Sequence, residues 1–149
     1  MALNPYAVMH VVESHLSTLG SIKRAQIGEP KQPPLDVLTA AILMSGIRTP
    51  SSVLDARVLV YDVIIRLYRN FLDDGTRTET EMARAVGEVM EEFAGDFQLG
   101  GNTRAVDFMG TYGTSVDARW GHLDFGNTVF RIADITVPII IDPTAEFVA

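Results

Sequence analysis

With 149 residues, 47% of them hydrophobic, the chain is sized for a single domain, 1–149, burying roughly 70% of the surface its unfolded form exposes. A formal net charge of −7 and a pI near 4.8 argue against a surface that grips phosphates, and so against stable nucleic-acid binding. There is no cysteine, which excludes disulfides, thiol catalysis and thiolate metal sites, and neither a bilayer-length apolar run nor a basic, apolar leader is seen, which predicts a soluble, unsecreted protein with no membrane partner.

Asn4 before Pro5 predicts the start of a helix that runs to about Leu19, with Gly20 as its left-handed stop. Val8, Val12, Leu16 and Leu19, flanked by Met9 and Val11, form its apolar stripe. Residues 21–28 alternate weakly and predict a short strand. The proline-rich stretch 28–34 cannot donate a continuous backbone ladder and predicts a loop. Residues 38–47 are apolar with little alternation, which fits a largely buried strand punctuated by Gly46 and Pro50, followed by an exposed turn over 48–52.

Residues 58–70 dominate the chain. Their odd positions Leu59, Tyr61, Val63, Ile65 and Leu67 are uninterrupted apolar, while the even positions Val58, Val60, Asp62, Ile64, Arg66 and Tyr68 mix apolar and charged side chains. That is the period of a strand with one face in a core. A buried helix is the rival reading, disfavoured by the β-branched and aromatic content and by the missing cap. Such a strand runs roughly 40 Å, well beyond ordinary strand lengths, so its mixed face needs a second explanation.

Asp73-Asp74-Gly75 predicts a turn, and Thr78 with Glu81 reads as a capping box opening a second helix. Met82, Ala85, Val86, Val89, Met90 and Phe93 fall on one face of it, and Gly95 closes it. Residues 103–109 alternate as a strand, and Gly110, Tyr112 and Gly113 mark a break. Residues 118–125 and 128–135 flank Gly126-Asn127, a two-residue hairpin loop of the primed-turn kind. Counting outward pairs Phe125 with Thr128, Leu123 with Phe130, Gly121 with Ile132 and Arg119 with Asp134 on one face, and His122 with Arg131 and Trp120 with Ala133 on the other. Pro138, lacking an amide, predicts an edge or a bulge. The fold class is α+β: a mainly antiparallel sheet with a long central strand and a C-terminal hairpin, two helices packed against it.

Chemistry-bearing residues are sparse. His10 and His15 sit five apart on the first helix, roughly 140° around its axis, which is no shared metal face. Ser14 and His15 diverge as helical neighbours. Glu88, Glu91 and Glu92 read as a solvated face, and Gly100-Gly101-Asn102 as turn chemistry without the context of a phosphate cradle. Asp62 and Arg66, with Arg119 and Asp134, either line a small pocket or form salt bridges across a sheet that faces a neighbouring subunit. The second is preferred, because apolar Val58, Val60, Ile64 and Tyr68 interleaved with charges suit an interface. The pocket alternative is a small ligand-binding or enzyme domain using Tyr61, Asp62, His122 or Asp134. No catalytic, cofactor-binding or metal-ligating residue is assigned.

The order of elements and several segments resemble one family. The N-terminal helix, the strand and loop Arg24-Ala-Gln-Ile-Gly-Glu-Pro30, the strand 58–70, the helix 78–93, and the ending from Tyr112-Gly-Thr-Ser-Val-Asp-Ala-Arg-Trp120 through Phe130-Arg-Ile-Ala-Asp-Ile-Thr-Val-Pro138 look like tail terminator proteins of long-tailed bacteriophages. The likeness spans nearly the whole chain and is similar to the phage lambda tail terminator. It implies a virion protein of the head-tail junction, without enzymatic activity or cofactor. The implied protein forms a ring, typically of six copies, that ends tail-tube polymerisation and presents a surface to head-completion proteins, with DNA passing through unbound. Adaptor and stopper proteins of the same junction are the neighbouring alternative. A ring needs a heterologous interface, for which the mixed face of 58–70 is a candidate.

Overall fold

The computed structural model describes residues 5–30, 37–49, 59–70, 75–95, 104–107, 110, 115–125 and 128–141. Its elements run α1 (Pro5–Leu16), β1 (Arg24–Ile27), β2 (Thr39–Arg48), β3 (Leu59–Asn70), α2 (Gly75–Gly95), β4 (Arg104–Val106), β5 (Asp117–Phe125) and β6 (Thr128–Ile141). One sheet holds all six strands in the order β1-β2-β3-β6, with β4 and β5 following one another along the far edge of β6. Every pairing is antiparallel except β1 with β2. The α+β class read from the sequence is therefore the observed one.

The period of β3 does what its sequence dictates. Tyr61, Val63, Ile65 and Leu67 are buried on the side the helices cover, where they meet Ile139, Val137, Ile135 and Ala133 of β6 in register. Val8, Val12 and Leu16 of α1 and Met82, Ala85, Val86, Val89 and Phe93 of α2 complete this core. Each such aliphatic side chain contributes about 1.5–3 kcal/mol by leaving water. α1 lies over β1 and β2, and α2 over β3 and β6.

Two helix boundaries differ from the sequence reading. α1 ends at Leu16, and its last carbonyls are used by Ser17, Thr18 and Leu19 in tightening turns. Gly20 is not left-handed; the positive φ values among the described glycines belong to Gly28 and Gly110. α2 begins at Gly75, so Thr78 lies inside the helix, is buried, and does not cap it. Glu81 instead accepts from Arg69 Nε at 2.7 Å and Arg77 Nε at 2.9 Å. The cross-strand register explains this use. Arg69 of β3 stands directly opposite Arg131 of β6, a like-charge pair that costs energy unless compensated. α2 supplies a carboxylate to each, Glu81 to Arg69 and Glu79 to Arg131.

Pro138 sits neither on an edge strand nor at a bulge. Asp107 N donates to Pro138 O at 2.8 Å, so the missing amide faces the same, outer side. That side is the gap where the ladder of β5 ends at Thr136 and that of β4 begins at Ile139, so no strand partner there is left without a donor. The β5–β6 register is the one counted outward from the hairpin loop, from Phe125 with Thr128 to Arg119 with Asp134; Gly126 and Asn127, like Asn4, Pro50, the turn at 73–74 and Gly100-Gly101-Asn102, lie outside the described residues.

Candidate subunit interface

The even positions of β3 face away from both helices. Val58 lies outside the described residues. Val60 and Tyr68 are fully buried, which corrects their reading as exposed interface residues: alternation assigns a face but not what covers its two ends. Tyr68 packs edge-to-face on Phe130, ring centroids 6.5 Å apart, in a small cluster with Ala41 and Ile132. Its burial raises the phenol pKa above the ordinary value. Between these ends lie Asp62, Ile64 and Arg66, all half-buried.

The charged residues pair across strands rather than along β3. Arg66 Nε donates to Asp134 Oδ1 at 2.7 Å and Nη2 to Oδ2 at 3.0 Å, a two-point fork between registered neighbours. That hydrogen bond holds the guanidinium even more firmly protonated than usual. Arg66 Nη1 and the Tyr68 hydroxyl also donate to Glu29 Oε1, at 2.9 and 3.3 Å. Glu29 follows Gly28, whose φ of 85° turns the chain out of β1.

Asp62 pairs with Arg48, Nε to Oδ2 at 2.9 Å. A bulge in β2 makes this contact. The pairing jumps from Met44 with Val63 to Gly46 with Asp62, so Ser45 is an extra residue, and the offset turns Arg48 onto the face of Asp62. Gly46, read from the sequence as the strand's end, in fact marks this bulge. Arg119 stands opposite Asp134 in register but its Nε meets Asp117 Oδ2 at 3.4 Å, and its side chain is 85% exposed.

Tyr61, Asp62, His122 and Asp134 do not converge. Tyr61 is on the helix-covered face and His122 is opposite Arg131 on that same side of the sheet, whereas Asp62 and Asp134 are on the other. A cleft of about 330 Å³ does exist, lined by Lys23, Arg69, Arg77, Glu81 and Arg84 among others, and none of the four belongs to it. Among the described residues no group of three or more His, Cys, Asp or Glu side chains is placed to hold a metal ion, and no helix is long and apolar enough to cross a membrane.

The carboxylates of α2 are not simply solvated. His15 Nδ1 donates to Glu92 Oε2 at 2.7 Å, Ser21 N donates to Glu88 Oε1 at 3.1 Å, and the Ser21 hydroxyl donates to Glu88 Oε2. They tie the end of α1 to α2. Their spacing of four along α2 puts Glu88 and Glu92 on one stripe, which is the signal that could have paired them.

No protein-family profile matches the chain, and no curated protein matches it. One solved structure covers 91% of the chain, which spans 91% of it in turn, at 15% sequence identity and a TM-score of 0.51. That likeness is one of fold.

Proposed function

We propose that the chain is a tail terminator of a long-tailed bacteriophage: a non-enzymatic virion protein that closes into a ring, six copies in the family it resembles, on the end of the tail tube. There it ends polymerisation and offers its other face to head-completion proteins. The observation that carries the reading is the helix-free face of the sheet, where Ile64 lies half-buried between the Arg48–Asp62 and Arg66–Asp134 ion pairs. An apolar centre with a paired, charged surround is the make-up of a protein–protein contact. The same geometry disfavours the pocket alternative, since Asp62 and Asp134 belong to a sheet face and Tyr61 and His122 to its reverse. The acidic balance of −7 suits a conduit through which DNA passes without being held.

Electron microscopy of polymerising tail-tube protein with the purified chain tests this. The expected result is a ring on one end of each tube and arrested elongation; tubes that grow unaltered with bare ends contradict it. Capture of portal-side proteins in place of tube protein would assign the chain to the adaptor or stopper role.

A further inference from the structure

The sheet has two unlike ends. Among the described residues β1 is paired on one side alone, with β2, and β5 on one side alone, with β6. Edge strands are ordinarily shortened, bulged, broken by proline or guarded by charged side chains, lysine above all. β1 is short, at four residues, preceded by exposed Lys23 and opened by exposed Arg24. β5 is longer and unbroken: nine residues, a regular ladder from Asp117 to Phe125 with neither proline nor bulge, its charges being Asp117, Arg119 and Asp124. Trp120, 42% exposed, stands on the helix-covered side of the sheet, beyond the strands on which α1 and α2 lie. The two ends also differ in charge, with Lys23 and Arg24 at β1 and a net negative β5, on which Asp117 and Asp124 outnumber Arg119.

We infer that the outer edge of β5 in one copy is covered by the outer edge of β1 in the next, so that the sheets of neighbouring copies join into one band. The inference rests on the ring reading and adds to the helix-free face around Ile64 a second contact, made by the two sheet edges. A contact between two different edges is heterologous and closes when repeated by rotation. Backbone amides and carbonyls supply the bonds, as in strand addition generally. Strand directions in the sheet place β1 and β5 antiparallel when copies are related by rotation about an axis along the strands. Rotation also keeps every helix-covered side on the same side of the band, so Trp120 lands beside α1 of the next copy, whose Tyr6 is 59% exposed.

The chain has no cysteine, which makes cross-linking a clean test. Arg24→Cys or Gln26→Cys on β1 is combined in turn with Arg119→Cys, Gly121→Cys or Leu123→Cys on β5, all on the helix-free face. The full chain is then oxidised and run on a denaturing gel, with sedimentation of the same sample. The expected result is a ladder of covalent multimers in at least one double variant, with every single variant staying monomeric on the gel. Rings that sediment intact but never cross-link overturn the inference and leave the ring reading standing. Dimers from a single β5 cysteine overturn it in favour of a symmetric β5–β5 contact. Protein that stays monomeric throughout, with tube protein present, overturns both.

Discussion

Arg66 and Asp134 are registered neighbours on β3 and β6, joined by two hydrogen bonds of 2.7 and 3.0 Å. The fork spans the two longest strands at the middle of the helix-free face. Both side chains keep some solvent contact, at 23% and 30% exposure, so the pair lies between the surface and buried limits. Asp134→Ala, which removes the two-point partner of Arg66 and leaves its contact with Glu29, is expected to cost about 1–2 kcal/mol. Arg66→Lys, lacking the planar fork, should recover only part of the coupling in a double-mutant cycle read by urea unfolding. A coupling near zero would show the fork to be ornamental.

Ile65→Ala and Ile64→Asp are neighbours in sequence and opposites in consequence. Ile65 is fully buried beneath the helices, and its truncation should cost about 2–5 kcal/mol in unfolding free energy. Ile64 is half-buried on the reverse. Its replacement by aspartate should leave the circular dichroism of the monomer native while weakening assembly; loss of the fold would mark that face as ordinary core.

Glu81 gives a dependence on pH. Burial opposes its ionisation, but the hydrogen bonds from Arg77 and Arg69 outweigh burial and leave its carboxyl below the usual range. A carboxyl whose folded-state pKa lies below its unfolded value stabilises the fold above the unfolded value, about 4.3, and loses that contribution as pH falls through the folded pKa. Protonation also removes the counter-charge of Arg69, which stands opposite Arg131. Glu81→Gln should therefore be less stable than the parent at pH 7 and converge on it as the pH falls through the lowered folded-state pKa. A constant difference across that range would contradict the assignment.

The tie from the turn after α1 to α2 predicts a local effect. Glu88→Gln weakens the contacts that hold Ser21 N and Oγ, and about 1 kcal/mol of stability should be lost. Amide exchange should quicken at residues 20–23 before it does in β3.

The sequence shows the parts of this fold that depend on periodicity. The odd face of β3, the apolar stripe of α2 and the β5–β6 register around a two-residue loop follow from residue order, because one face of each is buried and a slip would expose it. What covers Val60 and Tyr68, the extra residue Ser45 that turns Arg48 toward Asp62, and Glu29 reaching Arg66 from beyond β1 are tertiary facts. Salt bridges across the sheet are legible, since Arg66 does meet Asp134 on the neighbouring strand, but Arg48 as the partner of Asp62 is not. Thr78 and Glu81 had the spacing of a cap, but the helix starts earlier, at Gly75, and the Glu81 carboxylate is taken by Arg69 of β3 and Arg77 of α2.

Sedimentation velocity of the purified chain across a range of concentrations, with and without tail-tube protein and beside folded Ile64→Asp, tests the central claim most directly. A closed ring, six copies by the resemblance, that forms from the parent and is lost in Ile64→Asp is the predicted result. A parent that remains strictly monomeric in the presence of tube protein, or an Ile64→Asp variant that assembles as the parent does, would contradict it.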